Sequence, residues 1–150
     1  AKEVAQEYPD VKLGFELLDN TSLRLTQDPG LYKDVVMVMP NLYGDIMSDL
    51  SSGLIGGLGL TPSGNMGNTV SIFEAVHGSA PDIAGKGLAN PTALLLSSCM
   101  MLRHMSLNSD AEKIETAVLK TIASGPENRT GDLKGTATTQ RFTEEVIKNL

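Results

Sequence analysis

Residues 34–39 are the part of this 150-residue chain that most constrains its fold. After Asp34, the five residues of the segment VVMVM are all apolar, and Pro40 ends the run. A short apolar run without polar alternation is typical of a β-strand that is covered on both faces. Such strands occur where helices pack on both sides of a parallel sheet. The run therefore predicts an α/β domain.

Other predicted strands and helices alternate along the chain, which favours the same fold class. We predict two more strands, at residues 11–18 and 69–73, and four helices, at residues 45–54, 90–105, from Asp110 to about 122, and 142–150. Polar residues follow the predicted strand ends, where ligands of open α/β sheets bind. These are Asp19, residues 41–49, Glu74 and His77.

Charge and composition exclude several classes of partner. The formal net charge is −6, and the Lys and Arg residues are scattered, which disfavours a nucleic acid or an anionic membrane. The apolar run at residues 91–105 is too short for a membrane span and indicates a buried helix. The single cysteine, Cys99, lies inside that run and is interpreted as a small buried hydrophobic residue.

Asp45 and Asp49 are candidate metal ligands. Residues four apart share one face of a helix, where two carboxylates repel each other unless a cation lies between them. A hard divalent cation such as Mg²⁺ or Mn²⁺ prefers oxygen ligands of this kind. Asp19, which also follows a predicted strand, could be a third ligand or a turn residue. The alternative interpretation of the pair is a solvated helix face.

Two glycine-containing segments are candidates for ligand contact. Residues 53–67 contain six glycines, which suggests a backbone that approaches another group closely, although a flexible loop is the alternative. No dinucleotide fingerprint of the GxGxxG type is present there. Residues 77–90 (HGSAPDIAGKGLAN) combine His77, Asp82 and Asn90, side chains that could contact an adenine edge or a ribose.

Together, these motifs resemble the isocitrate/isopropylmalate dehydrogenase family. The similar segments are NLYGDIMSD at residues 41–49, TPSGNMG at 61–67 and the loop at 77–91. The resemblance covers essentially all 150 residues and implies an isopropylmalate dehydrogenase-like α/β fold, of which this chain is the C-terminal portion. It further implies the C-terminal part of the metal- and NAD-binding domain, with the N-terminal half of the longer enzyme absent.

The resemblance also implies the residues of the site. The metal, Mg²⁺ or Mn²⁺, would be held by Asp45 and Asp49, with Asp19 contributed across a dimer interface. The cofactor would lie along ten residues, which are Leu58, Gly59, Glu74, His77, Gly78, Ser79, Asp82, Ile83, Asn90 and Asp132. The family's catalytic Tyr and Lys lie in the absent half, so no catalytic residue is expected here, and the fragment alone is predicted to be inactive.

The cofactor is predicted to be NAD. NADP-using members of the family carry Lys-Tyr where this chain has Asp82-Ile83, and an aspartate there would repel a 2′-phosphate. Gly131 and Gly135 occupy positions where bacterial NADP-dependent members carry a Tyr and an Arg.

The substrate implied by the resemblance is isocitrate, oxidised and decarboxylated to 2-oxoglutarate and CO₂ in the tricarboxylic acid cycle. The motifs resemble the catalytic subunits of the NAD-dependent enzymes of the mitochondrial matrix, which are hetero-oligomers of homologous subunits. Two alternatives stay open: 3-isopropylmalate dehydrogenase of leucine biosynthesis, and a non-catalytic regulatory subunit. The retained Asp45 and Asp49 favour the catalytic type.

Overall fold

The computed structural model describes all 150 residues, which form two compact units, Ala1–Ser51 and Ser52–Leu150. The helices and strands are α1 (Lys2–Ala5), α2 (Leu18–Gln27), α3 (Asn41–Ile55), β1 (Pro62–Met66), β2 (Ser71–Ala75), α4 (Thr92–His104), α5 (Asn108–Ala123) and α6 (Thr139–Asn149). Helix α3 begins in the first unit and ends in the second. No helix is both long and apolar enough to cross a membrane.

The first unit contains helices but no strand. Helix α2 buries Thr21 and Leu25, and Met47 of α3 is also buried. The Ser22 hydroxyl on α2 lies 3.2 Å from the Met47 sulfur. Leu25 and Met47 are the only buried apolar residues of this unit.

The two strands predicted in the first unit are wrong. Residues 12–17 and 35–40 have no regular secondary structure, and α2 already begins at Leu18. Val36 and Val38 are each 88% exposed, so the run that predicted a covered strand is uncovered. The physical reason is that a strand needs a neighbour to pair with its backbone N–H and C=O groups, and no segment of this chain supplies one.

The second unit contains one antiparallel ribbon, β1–β2, in which Ser63 faces Glu74 and Gly64 faces Phe73. Strand β2 was predicted two residues too early, and Glu74 lies within it rather than beyond its end. Strand β1 lies in the glycine-rich segment 53–67, which was interpreted as closely approaching backbone or as a flexible loop, and its Pro, Ser, Gly and Asn are rare in strands. No parallel sheet exists in the chain, so the predicted ligand edge of such a sheet is also wrong.

Helices α4, α5 and α6, all three predicted from the sequence, form the main core of the second unit. Phe142 and Val118 are fully buried, and Ala117 and Val146 complete the cluster. Burial of each larger side chain contributes about 1.5–3 kcal/mol. Asp110 lies in the first turn of α5 and does not cap it, because the helix begins two residues earlier.

The start of α4 agrees with its prediction. The Asn90 side chain accepts a hydrogen bond from the Thr92 backbone N–H at 3.0 Å, which satisfies one of the free donors at the helix N-terminus. Pro91 directly precedes the helix, where its lack of an N–H has no cost.

Candidate functional site

Three of the predicted cofactor residues converge in the second unit. The Asn90 side-chain amide donates a hydrogen bond to Asp132 Oδ2 at 2.9 Å, across 42 residues of sequence. Gly59 lies against both: a Cβ atom at this position would come within 2.6 Å of Asp132 Oδ2 and 3.1 Å of Asn90 Cβ. We call Gly59, Asn90 and Asp132 the asparagine cluster. Its packing requires the absence of a side chain at residue 59.

The other oxygen of Asp132 is also occupied. The Thr130 hydroxyl donates to Asp132 Oδ1 at 2.5 Å, and Thr130 is fully buried. A carboxylate that accepts at both oxygens is fixed in orientation. Asp132 therefore orients Asn90, whose other amide atom caps α4.

The loop between β2 and α4 is held at its C-terminal end by α6. The Thr139 N–H donates to the Gly87 carbonyl at 2.8 Å, and the Thr139 hydroxyl donates to the Ala89 carbonyl at 2.5 Å. Gly85 and Gly87 both have positive φ, at 73° and 64°, a conformation that favours glycine. This anchoring brings the end of the loop beside the asparagine cluster.

The predicted polar residues of this loop are presented at the surface. His77, Gly78, Ser79 and Asp82 are exposed, and Ile83 is half-buried. The His77 ring lies 3.0 Å, through Nδ1, from the Gly78 carbonyl, which can only accept, so this contact requires the proton on Nδ1. Asp82 has no ion-pair partner, so its carboxylate oxygens are free to accept from a ligand.

Glu74 is fixed at two points. Its carboxylate accepts from the Asn65 side-chain amide on β1 at 2.9 Å. Its backbone carbonyl accepts from the buried Ser97 hydroxyl on α4 at 2.7 Å. The carboxylate lies on the exposed side of the ribbon, and the carbonyl is bound to the helix.

The residues present fit a dinucleotide. The lack of a side chain at Gly59 lets Asn90 and Asp132 pack against its backbone, and Leu58 beside it is partly exposed. The exposed loop offers an aspartate and a histidine, and the cluster offers an amide. This donor set suits a ribose and an adenine edge.

The three predicted metal ligands lie in the first unit. Asp45 and Asp49 are exposed on α3, one turn apart, and neither is paired with a Lys or Arg. Asp19 lies in the first turn of α2 rather than beyond a strand, and its Oδ1 accepts from the Asn20 N–H at 2.8 Å. The chain has no group of three or more carboxylate, imidazole or thiol side chains arranged to hold a metal ion. The Asp45–Asp49 pair fits a divalent cation by donor type, and the full ligand set stays a prediction.

A polar cluster, which we call the Glu16 cluster, anchors the segment before α2. The Glu16 carboxylate accepts from Tyr32 Oη at 2.7 Å, from Thr21 Oγ1 at 3.1 Å and from Arg24 Nη1 at 2.5 Å. The Tyr32 hydrogen bond, with lesser help from Thr21 and Arg24, lowers the pKa of Glu16. The same hydrogen bond raises the pKa of Tyr32. Glu16 lies three residues before Asp19 along the chain, and its partners follow Asp19.

Sequence reasoning missed the residues that hold the predicted ones in place. Thr139 and Ser97 each bind a residue far away in sequence, and Thr130 binds Asp132 two residues later; hydroxyl residues carry no local signal for such roles. A lone Thr or Ser inside or before a helix is more often a cap or a solvated side chain.

Comparisons with known proteins agree with the resemblance. The sequence profile of the family "Isocitrate/isopropylmalate dehydrogenase" matches residues 1–148. The chain is 67% identical to "Isocitrate dehydrogenase [NAD] subunit 2, mitochondrial" from Saccharomyces cerevisiae, with 100% of this chain and 41% of that protein covered. It is 55% identical to "Isocitrate dehydrogenase [NAD] catalytic subunit 5, mitochondrial" from Arabidopsis thaliana, over 99% and 39%. Both relatives are named as mitochondrial proteins, in agreement with the predicted localisation.

A solved structure confirms the fold class. The crystal structure of isocitrate dehydrogenase from Methylococcus capsulatus superposes with a TM-score of 0.91 at 43% identity. The alignment covers 99% of this chain and 43% of that one. The chain thus spans about two fifths of the length of the relatives it matches.

Proposed function

This chain belongs to the isocitrate/isopropylmalate dehydrogenase family, and we propose that it is the cofactor- and metal-holding part of a catalytic subunit of an NAD-dependent isocitrate dehydrogenase. The whole enzyme would convert isocitrate to 2-oxoglutarate and CO₂ in the mitochondrial matrix, as a step of the tricarboxylic acid cycle. The observation that carries the proposal is the convergence of Gly59, Asn90 and Asp132 beside the exposed loop that contains His77 and Asp82.

The residues of the loop and the asparagine cluster would bind and orient NAD. Asp82 would accept hydrogen bonds from two free ribose hydroxyls, and its charge would repel a 2′-phosphate. An Arg at position 135, where the resemblance places one in NADP-dependent members, would meet the Arg129 backbone here, since a Cβ at Gly135 overlaps it. Both features support NAD over NADP.

Asp45 and Asp49 would hold Mg²⁺ or Mn²⁺, completed by Asp19 of a homologous subunit. A bound divalent cation supplies Lewis-acid stabilisation of negative charge on the substrate oxygens. The chain itself provides acidic ligands and no cluster of arginines for a tricarboxylate substrate. The substrate clamp and the proton-transfer groups would therefore come from the remainder of the subunit.

The proposal is tested by NADH formation with full-length subunits, co-expressed so that any hetero-oligomer can assemble, in the presence of Mg²⁺. Isocitrate and 3-isopropylmalate are offered in parallel, with NADP as a control. We expect turnover with isocitrate and NAD alone. Turnover of 3-isopropylmalate would replace the proposed substrate, and absence of both activities would favour a non-catalytic subunit.

The metal part of the proposal has a separate readout. Asp45→Asn is expected to weaken Mn²⁺ binding, followed by electron paramagnetic resonance, by at least about tenfold. Glu112→Gln removes a different exposed helical carboxylate, on α5, and is the matched control that should leave binding unchanged. Equal Mn²⁺ affinity in the two variants would remove Asp45 from the metal site.

A further inference from the structure

A buried hydroxyl on α4 joins the helix to both strands of the ribbon. Ser97 is 1% exposed. Its Oγ lies 2.7 Å from the Glu74 carbonyl oxygen and 2.8 Å from the Ala93 carbonyl oxygen, and it accepts from the Ser63 N–H at 3.3 Å. A serine hydroxyl has one proton and two lone pairs, so Ser97 can donate to β2 and accept from β1 at the same time.

The two residues that Ser97 contacts on the ribbon are direct partners in the sheet. Ser63 and Glu74 face each other in the register of β1 and β2. One hydroxyl therefore holds this pair of facing residues, which we call the Ser63–Glu74 rung, against α4. Its loss would leave two partly buried backbone groups without this partner, which favours a shift of the rung.

The rung that Ser97 fixes carries a predicted cofactor residue. Glu74 projects its carboxylate to the exposed side, where Asn65 of the same ribbon donates to it at 2.9 Å. Asn65 thus holds Glu74 by its carboxylate, and Ser97 holds Glu74 by its backbone carbonyl. Movement of the rung would move the carboxylate with it.

The same helix also begins at the asparagine cluster. Asn90 caps α4 by accepting from the Thr92 N–H and donates to Asp132. Ser97 lies five residues after Thr92, which corresponds to roughly 7.5 Å along a helix. A helix is rigid over this length, so α4 sets the spacing between the asparagine cluster and Glu74.

We propose that Ser97 is a positioning residue for the cofactor: through the Ser63–Glu74 rung, it sets where Glu74 stands relative to Asn90 and Asp132. The inference rests on the proposed function, in which the asparagine cluster binds NAD, and on the prediction that Glu74 is a cofactor residue. Ser97 touches no ligand itself. Its role is to keep Glu74 in register with the asparagine cluster, so that NAD is held in the orientation that hydride transfer requires.

The test uses the full-length enzyme with its partner subunits. Ser97→Ala is expected to lower kcat by about tenfold, because small misplacements of reacting groups are costly, while the Kd for NAD stays within about twofold. Ser98→Ala is the matched control. Ser98 is the next residue of α4, and its hydroxyl bonds only the Leu94 carbonyl of the same helix. Equal kcat in the Ser97 and Ser98 variants would overturn the inference.

A double-mutant cycle separates positioning from general stability. If Ser97 acts through Glu74, adding Ser97→Ala to Glu74→Gln should lower kcat by less than about twofold further, and independent effects that multiply would contradict the inference. If the alanine variant does not fold, Ser97→Thr and Ser97→Val decide, since they share one shape and differ in the hydroxyl. The threonine variant should retain the higher kcat; equal values would overturn the inference. A wild-type enzyme that binds no NAD would instead overturn the proposed function.

Discussion

The two units of this molecule differ in how far they bury their apolar side chains. In Ala1–Ser51, Val36 and Val38 are almost fully exposed, and Leu25 and Met47 are the buried apolar residues. In Ser52–Leu150, three helices enclose a cluster around the fully buried Phe142. The first unit is also where the predicted metal ligands lie, and the second contains the asparagine cluster.

The difference shows that apolar sequence is not enough to make a strand. Helices α2 and α3 form in the first unit because each helix satisfies its own backbone groups. The apolar segment 35–39 needs a neighbouring strand for that purpose, and the first unit has none. In the second unit, β1 and β2 pair because a connection of four residues brings them together.

The largest effect is expected for the 150-residue chain expressed alone, without the remainder of the subunit. Its exposed apolar segments should cause self-association, and it should form no NADH from isocitrate, because the substrate clamp and general base are expected elsewhere in the subunit. Light scattering and NADH absorbance measure the two outcomes. A monodisperse monomer would mean that the first unit tolerates its exposed valines, and turnover would contradict the predicted division of the site.

The next largest effect should distinguish the cores of the two units. In the same chain, Phe142→Ala is expected to lower the free energy of unfolding of the second unit by about 3–5 kcal/mol, through lost burial and a cavity. Val38→Ala should change it by no more than about 0.5 kcal/mol, as at an exposed surface position. Denaturant unfolding followed by circular dichroism measures both. Similar losses would show that residue 38 is covered in solution.

A substitution at Gly59 is expected to weaken cofactor binding and to leave metal binding unchanged. In the full-length enzyme, Gly59→Ala should weaken NAD binding by about tenfold, because its Cβ displaces Asp132 and Asn90. Mn²⁺ binding at the first unit should not change. Gly14→Ala is the control, since a Cβ there meets nothing within 4 Å and the residue is not a predicted cofactor residue. Titration calorimetry that gave equal NAD affinities for both variants would remove the asparagine cluster from the cofactor site.

The smallest expected effect concerns the Glu16 cluster of the first unit. Its hydrogen bond from Tyr32 lowers the pKa of Glu16 below the ordinary value of 4.5, so its stabilisation is fully present above pH 4.5 and is lost as the pH falls through the lowered pKa. Tyr32→Phe should therefore reduce stability at neutral pH and match the wild type in stronger acid. Thermal unfolding across this range measures the difference. A difference that persisted unchanged in acid would assign the effect of Tyr32 to packing.

The helices could be predicted from sequence much better than the strands. The predicted starts of α4, α5 and α6 lie within about three residues of the observed ones, because the signals for a helix are local. Two of the three predicted strands failed, and β1 was missed. Strand pairing depends on contacts that exist only after two segments have met. For example, Gly64 in β1 faces Phe73 in β2, and a Cβ at residue 64 would come within 3.1 Å of the Phe73 ring. Local strand propensity does not include such a contact.

The candidate site, like the fold, could be predicted from the sequence only in part. The motifs were sufficient to select Asn90, Asp132 and Gly59 through the family resemblance, but only the folded chain places them together. Asp45 and Asp49 share a helix face by local geometry alone. Their relation to Asp19 stays a prediction.

The sequence alone determined the family, helices α4, α5 and α6, most of α3, and the residue types available for a metal and a dinucleotide, whereas α2 was not predicted. The tertiary structure decided which strands exist, that Asp132 orients Asn90, and that Ser97 holds the rung of Glu74. The physical reason is the range of the hydrogen bonds. The backbone hydrogen bonds of a helix join residues four apart in sequence. The hydrogen bonds of a strand, or of a buried hydroxyl between two elements, form only after separate parts of the chain have met.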